Sequence, residues 1–329
     1  MNRKLIIAAF SAALLASCGK SQSDYVTPLD DMVSIEIELP ASETKITGAG
    51  GAEENAVSGY QVFIYDLSTR MLEAYDTPSP SSNTVNMQCT TGPKEVVVLA
   101  NAPDLSSVVS YDRLLETKAL LSDNKAGKLV MEGSSSVNLT SVNNKVTVEL
   151  RKIVSKVVLN KIETAFELPA YRNMDFILKE MYLVNVAADK YYLSDSAGPS
   201  LWYNKLKNEN NLPELLWTSL GDTNIRDSRI YDAEHHFYCC PNPHTSDTFS
   251  DEWSPRPTRL VVVAELGGKT YYYPVVIKGG IEKNKVYNVS LKVVRPGASN
   301  PEEDMEKTTA VFTIDIKGWD GQTDVTETI

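Results

Sequence analysis

Apolar and polar residues alternate along most of this 329-residue chain, and this period of two constrains its fold more than any other feature. The alternating segments are rich in Val, Ile, Tyr and Thr and are bounded by Gly, Pro, Asn, Asp or Ser, a pattern typical of half-buried β-strands. A helix is predicted only at 110–121, where leucines recur at helical spacing behind Ser110. Gly267 and Gly268 predict a two-residue hairpin turn. The internal strands are expected at residues 60–67, 84–89, 95–100, 128–131, 145–150, 152–159, 176–186, 191–193, 237–240, 259–266, 269–277 and 285–294.

The chain is longer than one hydrophobic core usually organises, so we predict two β-domains in tandem. Five parts follow one another: a signal peptide, a leading segment with the first strand, the two domains, and a linker with a final strand. They are expected at residues 1–17, 18–45, 46–151, 152–297 and 298–329, respectively. Two polar stretches of the second domain, 193–229 and 241–257, predict long loops.

The first residues have the form of a bacterial lipoprotein signal. A charged start at 1–4 precedes an apolar run at 5–15 and small residues before Cys18, and such a segment is removed on export. The run is too short to span a bilayer. We therefore predict that Cys18 becomes a lipid-carrying N-terminus on the outer membrane. The alternative is a plain secretory signal in which the cysteine stands by chance.

The chain is acidic, with a formal net charge of −11. Without a basic stripe a protein cannot release counterions from a polyanion, so nucleic acid is excluded as a partner. The excess of carboxylates is expected to keep an exported protein in solution.

Two strands near the ends of the chain each have one apolar face and are set off by polar stretches, 47–54 and 298–307. The apolar face of the first consists of Val33, Ile35, Ile37 and Leu39. That of the last consists of Ala310, Phe312, Ile314 and Ile316. A strand of this kind needs a sheet for its apolar row and its unpaired backbone groups. Either both strands complete sandwiches of their own chain, or the first is cut away and its groove receives the last strand of another copy. The second alternative gives a head-to-tail contact that propagates as a filament.

The order of these features resembles that of the major fimbrial subunits, or fimbrillins, of Bacteroidales, whose pili form by protease-mediated donor-strand exchange. The resemblance rests on the lipoprotein signal and on short segments that follow one another over nearly the whole chain. These segments are 59–66 (GYQVFIYD), 96–102 (VVVLANA), 129–133 (LVMEG), 146–151 (VTVELR), 155–157 (SKV), 237–242 (FYCCPN), 287–297 and the strand that ends at Trp319.

The resemblance implies two transthyretin-like β-sandwich domains, a removable first strand, and a C-terminal donor strand that enters another copy. It also implies export as a lipoprotein and processing by a surface protease, for a pilus that supports adhesion. In the family the cut commonly follows an arginine after the first strand, but this chain has none between Arg3 and Arg70. The basic residue in that place is Lys45, so we expect cleavage between Lys45 and Ile46.

The donor strand favours a shaft subunit over a base subunit or a tip subunit, because neither of those needs a free donor. Other copies or related pilus subunits are then the partners, and the surface ligand is not specified. An alternative from a different class is a monomeric surface lipoprotein that binds a glycan or a protein through loops of the second domain.

The sequence offers little for catalysis or metal binding. His235, His236, Cys239, Cys240 and His244 lie close together, but neighbouring residues of a strand point to opposite faces, so no tetrahedral metal site forms unless His244 folds back. Catalytic and nucleotide-binding motifs are absent. We therefore predict no enzyme activity, no cofactor and no metal. Cys239, Cys240 and Cys89 are expected to be small buried hydrophobes, with one disulfide left open.

Overall fold

The computed structural model describes residues 32–39, 52–142, 144–195, 197–205, 213–246, 253–303, 310–319 and 323–328. Cys18, Lys45 and Ile46 lie outside these residues. The described strands, in chain order, are β1 (Met32–Glu38), β2 (Tyr60–Asp66), β3 (Leu72–Asp76), β4 (Thr84–Thr90), β5 (Gly92–Ala100), β6 (Lys118–Leu120), β7 (Met131–Leu139), β8 (Asn144–Thr147), β9 (Arg151–Lys152), β10 (Ser155–Thr164), β11 (Phe176–Val184), β12 (Val186–Ala187), β13 (Asp189–Tyr191), β14 (Trp202–Tyr203), β15 (Trp217–Asn224), β16 (Ile230–Tyr231), β17 (His235–Cys239), β18 (Arg259–Leu266), β19 (Lys269–Val276), β20 (Lys285–Val293), β21 (Ala310–Gly318) and β22 (Thr323–Thr328).

The helices are short: α1 (Tyr111–Leu115), α2 (Pro169–Arg172), α3 (Pro213–Leu216) and 3₁₀ turns at Ala52–Asn55 and Leu121–Asp123. In the described part of the chain, none of them has the length and hydrophobicity to cross a membrane. The predicted all-β class is confirmed.

The first sandwich is built from two sheets that share an apolar core. A three-stranded sheet in the order β4-β1-β8 lies against a five-stranded sheet in the order β3-β2-β5-β7-β9. The residues of this core alternate along each strand of the smaller sheet, because that sheet has one buried face and one exposed face. The period of two in β1 and β4 is therefore correctly assigned.

The central strands β2 and β5 of the larger sheet of the first sandwich are buried on both faces. Every residue from Val96 to Ala100 is buried, and so are Tyr60 to Tyr65. Phe63, Val97 and their neighbours on the second face pack into an apolar cluster that continues into the second half of the chain. Their near-continuous apolar runs follow from this double burial, so the prediction of half-buried strands is wrong here.

The second sandwich pairs a sheet in the order β16-β10-β20-β21-β22, with β17 also on β10, and a sheet in the order β15-β11-β18-β19. Its core is filled by side chains of β10, β11, β18 and β20. The hairpin of β18 and β19 turns at Gly267 and Gly268, whose φ angles are 59° and 84°. A two-residue turn of this type needs positive φ at both positions, so the predicted hairpin is confirmed.

Polar contacts and one strand pair join the two sandwiches. β6 pairs with β13 across them. The buried carboxylate of Glu132, in β7, accepts hydrogen bonds from Lys190 Nζ at 2.7 Å and Lys283 Nζ at 3.1 Å. A buried carboxylate with two cationic partners is costly to separate from them. The contact therefore opposes relative movement of the sandwiches.

Three predicted elements differ from the structure. The helix predicted at 110–121 ends at Leu115, although Ser110 caps it by accepting from the backbone N–H of Arg113 at 3.2 Å. The residues after it form β6, because β13 offers them backbone partners. The strand predicted at 128–131 lies instead at Met131–Leu139. β15 lies inside a predicted loop, since Leu220 is its one buried side chain and its sequence carries no apolar row.

Candidate functional site

The first strand, β1, lies between two strands that are otherwise unpaired in their sheet. It pairs antiparallel with β4 along its whole length and parallel with β8 from Ile35 to Glu38. Among the described residues β4 and β8 have no other partner in this sheet. We call the space that β1 occupies between them the slot. Loss of β1 would leave two strand edges facing each other across an empty slot.

The four predicted residues of the removable strand line the inner face of the slot. Ile35 and Ile37 are 0% exposed, Leu39 is 2% exposed, and Val33 is 8% exposed. Burial of four such side chains contributes on the order of 6–12 kcal/mol, at about 1.5–3 each. A slot emptied of β1 is therefore an apolar groove with a strong tendency to be filled.

The outer face of the slot is polar and carries one cation. Lys145 Nζ, in β8, lies 3.0 Å from Glu36 Oε1 and 2.9 Å from Glu38 Oε1 of β1. Hydrogen bonds to Glu38 and Glu36 raise the pKa of the Lys145 ammonium. The hydroxyl of Thr147 also donates to Glu38. These exposed contacts orient β1 in the slot more than they stabilise it.

The last apolar strand, β21, pairs antiparallel with β20 from Ala310 to Gly318, and β22 folds back along its outer edge. We call β21 together with Trp319 the tail. Of the predicted donor residues, Ala310, Phe312 and Ile314 are buried, and Ile316 packs partly buried against the same core. In this chain the tail thus completes its own second sandwich, and β1 its own first sandwich.

The linker before the tail is docked where it is described. Ala298 and Tyr272 exchange backbone hydrogen bonds of 2.8 and 3.0 Å, and Arg259 Nη1 donates to the carbonyl of Glu302 at 2.8 Å. The first part of the polar stretch predicted as a linker therefore packs against the second sandwich. Residues 304–309 lie outside the described residues.

Trp319 fixes the end of the tail at the junction of the two sandwiches. Its side chain is fully buried, and its ring stacks on Tyr238 with centroids 6.3 Å apart and planes at 13°. The Nζ atom of Lys152, in β9, lies 4.6 Å from the centroid of the Trp319 ring. The backbone N–H of Trp319 donates to the carbonyl of Asn284 at 3.2 Å. The tail is thus held by more than its apolar row.

Charged groups surround this junction. Lys152 Nζ donates to Asn55 Oδ1 at 2.8 Å, and burial lowers the pKa of the Lys152 ammonium to about 8, with Glu54 opposing. Burial acts to raise the pKa of Glu54, but hydrogen bonds from Tyr238, at 2.6 Å, and Lys156 lower it overall. A buried ammonium with few partners is stabilised by the face of an aromatic ring. The Trp319 ring therefore shields Lys152 as well as filling space.

The three cysteines among the described residues are buried and unbonded. Cys89, Cys239 and Cys240 form no disulfide, and burial raises the pKa of the Cys89 thiol to about 11. Their prediction as small buried hydrophobes is confirmed, and the disulfide left open does not form. The histidines have separate surroundings: His235 stacks on Tyr231, His236 meets Tyr238 edge-on, and His244 lies beside Trp202. Within the described ranges no three metal-ligating side chains gather.

A cleft of about 790 Å³ lies beside the loops of the second sandwich. Its lining includes Asp195, Pro241, Lys283 and Arg151. Lys283 Nζ is engaged by Glu132 and by Asp195 at 2.9 Å. The cleft is the feature that ligand binding through second-domain loops would use, and no aromatic platform for a sugar lies among its lining residues.

Comparison with known proteins agrees with the resemblance drawn from the sequence. Residues 33–168 match the family model described as major fimbrial subunit protein (FimA), a family of structural subunits and not of enzymes. The match begins at Val33, the first apolar residue in the slot. No curated protein matches the chain.

Solved structures share the fold at low identity. A putative cell adhesion protein from Bacteroides eggerthii is 19% identical, with a TM-score of 0.65 over 88% of this chain and 96% of that one. A fimbrilin (fimA) from Porphyromonas gingivalis is 15% identical, with a TM-score of 0.62 over 90% and 99%. The tip fimbrial protein Mfa3 from Porphyromonas gingivalis, with a C-terminal truncation, is 13% identical, with a TM-score of 0.57 over 88% and 100%. These similarities confirm the β-sandwich architecture.

Proposed function

We propose that this chain is a fimbrial subunit and that it polymerises by strand exchange between copies. One copy loses β1, and the tail of the next copy enters the slot that β1 leaves. A chain with both a slot and a tail joins two neighbours, which is the requirement for a shaft subunit. The pilus built in this way supports adhesion at the cell surface.

The observation that carries the proposal is the equivalence of the two terminal strands. Each presents four apolar side chains at every second position, and each set packs into the core of a sandwich. The two rows have comparable total side-chain volumes. Phe312 is larger than Ile35, which it would replace, and Ala310 is smaller than Val33. A groove shaped for one such row accepts another of the same period and volume with little strain.

Once β1 is gone, β4 and β8 have unpaired edges that the tail can fill. In its own sandwich the tail pairs with one strand of the body, β20, and with β22, which belongs to the same C-terminal segment. In the slot it would pair with two strands of the body, β4 and β8. Each backbone group that gains a partner at a strand edge contributes to binding. With β1 in place the slot is closed, so the tail remains in its own sandwich.

Two proposed steps, export and proteolytic cleavage, precede the exchange, which then occurs outside the cell. Export as a lipoprotein attaches the precursor to the outer membrane through Cys18, and a trypsin-like protease cuts between Lys45 and Ile46. The surrounding residues 47–51 are rich in glycine, and exposed segments of small residues are preferred sites of proteolysis. The cut separates β1 from the body of the chain, and β1 then leaves the slot.

Mass spectrometry of the surface form tests this sequence of events. We expect a mature N-terminus at Ile46 and SDS-resistant ladders of the subunit. Lys45→Gln should abolish the cut, keep β1 in the slot and leave the chain monomeric. Lys20→Gln, which removes another lysine ahead of β1, serves as the matched control and should be processed normally. An intact lipidated Cys18 on a monomeric wild-type chain would instead support the monomeric ligand-binding lipoprotein.

A further inference from the structure

Lys145 is the cation of β8 that faces β1 across the outer side of the slot. Its Nζ atom bridges two carboxylates of β1, those of Glu36 and Glu38, at 3.0 and 2.9 Å. When β1 leaves, both carboxylates leave with it. Any strand that refills the slot therefore meets an uncompensated ammonium at this point of its polar face.

The tail carries an acidic residue at the matching position. If the apolar rows are superimposed from first to last, Ala310 takes the place of Val33 and Ile316 that of Leu39. Asp315 then takes the place of Glu38, whose carboxylate lies 2.9 Å from Lys145 Nζ. We propose that Lys145 of one copy pairs with Asp315 of the next copy's tail, and that this pair fixes the direction and register of the tail in the slot. The inference rests on the proposed strand exchange.

Other registers weaken or lose this pair. A shift of two residues that brings Phe312 to the place of Val33 puts Asp315 at the place of Glu36 but Lys317 at the place of Glu38, so that Lys145 meets an ammonium group as well as a carboxylate. A shift of two residues the other way puts Thr313 there and moves Asp315 beyond Leu39. Because the apolar row repeats every two residues, it discriminates poorly between these registers, whereas charge discriminates well.

The opposite direction of insertion loses the pair as well. With the tail reversed, Val311 takes the place of Glu38 and Asp315 that of Ser34. The paired direction is the one that β1 itself has, parallel to β8 and antiparallel to β4. Electrostatic complementarity of this kind sets specificity and association rate more than affinity.

Charge reversal of each partner gives a direct test. Full-length Lys145→Glu and Asp315→Lys chains are purified, processed with a trypsin-class protease, checked by mass and allowed to polymerise at low salt. In each variant alone the slot and the tail carry like charges, and we expect polymerisation to be about 3–10-fold slower than in wild type, because exposed pairs contribute modestly. An equimolar mixture restores opposite charges at every junction between unlike variants, so that the two chains alternate and the rate should return close to that of wild type.

Two controls complete the test. Lys125→Glu reverses an exposed charge elsewhere on the first sandwich and should polymerise like wild type. The defect of the single variants should shrink at 1 M salt, where the Debye length is about 3 Å. If wild-type chains polymerise and both charge-reversed chains polymerise equally fast, or if the mixture stays slow, the pairing is overturned. The strand exchange is not overturned by either result. Wild-type chains that form no filaments would overturn the strand exchange and the pairing with it.

Discussion

A disulfide that ties the tail to its own sheet is expected to stop filament formation, and a reductant is expected to restore it. Ser290 in β20 and Thr313 in β21 are directly opposite each other, on the partly exposed face of the sheet. Directly opposite residues of an antiparallel pair have Cα atoms about 4.5–5.5 Å apart, within the range of a disulfide. The double variant Ser290→Cys/Thr313→Cys should therefore form the bond with little distortion.

The expected effect is close to all-or-none, because a covalently held tail cannot enter another copy. The native thiols should not interfere, since Cys89, Cys239 and Cys240 are buried. Thr313→Cys alone is the matched control and should polymerise with or without oxidant. Electron microscopy and non-reducing SDS gels report the outcome. Oxidised double-variant chains that form filaments as fast as reduced ones would show that the tail need not leave its own sandwich.

Trp319→Ala is expected to lower the free energy of unfolding of the unprocessed chain by about 3–5 kcal/mol, the usual cost of truncating a fully buried large aromatic side chain. The ring is 0% exposed, packs on Tyr238 and covers Lys152. Its removal leaves a cavity and deprives the Lys152 ammonium of its aromatic neighbour. Urea unfolding of the monomer measures the loss.

Val311→Ala, in the same strand but 38% exposed, is the matched control and should change the free energy of unfolding by less than about 0.5 kcal/mol. Because Trp319 holds the tail in its own body, the Trp319→Ala chain should also polymerise faster than wild type once β1 is removed. Unchanged stability in Trp319→Ala, or a loss no larger than in the control, would mean that the junction does not retain the tail.

The sequence predicted the two terminal strands well because each has one buried and one exposed face. In β1 and β21 the apolar residues therefore occupy every second position, from Val33 to Leu39 and from Ala310 to Ile316. Strands in other surroundings lose this pattern. The larger sheet of the first sandwich buries both faces of β5, whereas β15 buries little besides Leu220.

Contacts between distant parts of the chain could not be read from the sequence. The helix predicted to reach residue 121 ends early because β6 pairs with β13, about 70 residues further along the chain. The alternating pattern of the tail predicts that it joins a sheet, but it does not predict whether that sheet belongs to the same chain or to another copy. The roles of Lys145 and Trp319 depend on which residues β1 and the tail bring beside them.

A cysteine pair placed across the slot tests the central claim most directly. In the proposed register Thr313 of the tail takes the place of Glu36, and Glu36 lies directly opposite Asn86 of β4. Asn86→Cys/Thr313→Cys chains, once processed and assembled, should show disulfide-linked ladders on non-reducing gels that collapse to monomer on reduction. Filaments in which these cysteines stay unbonded, or bond only within one chain, would contradict the insertion of the tail into a neighbour's slot.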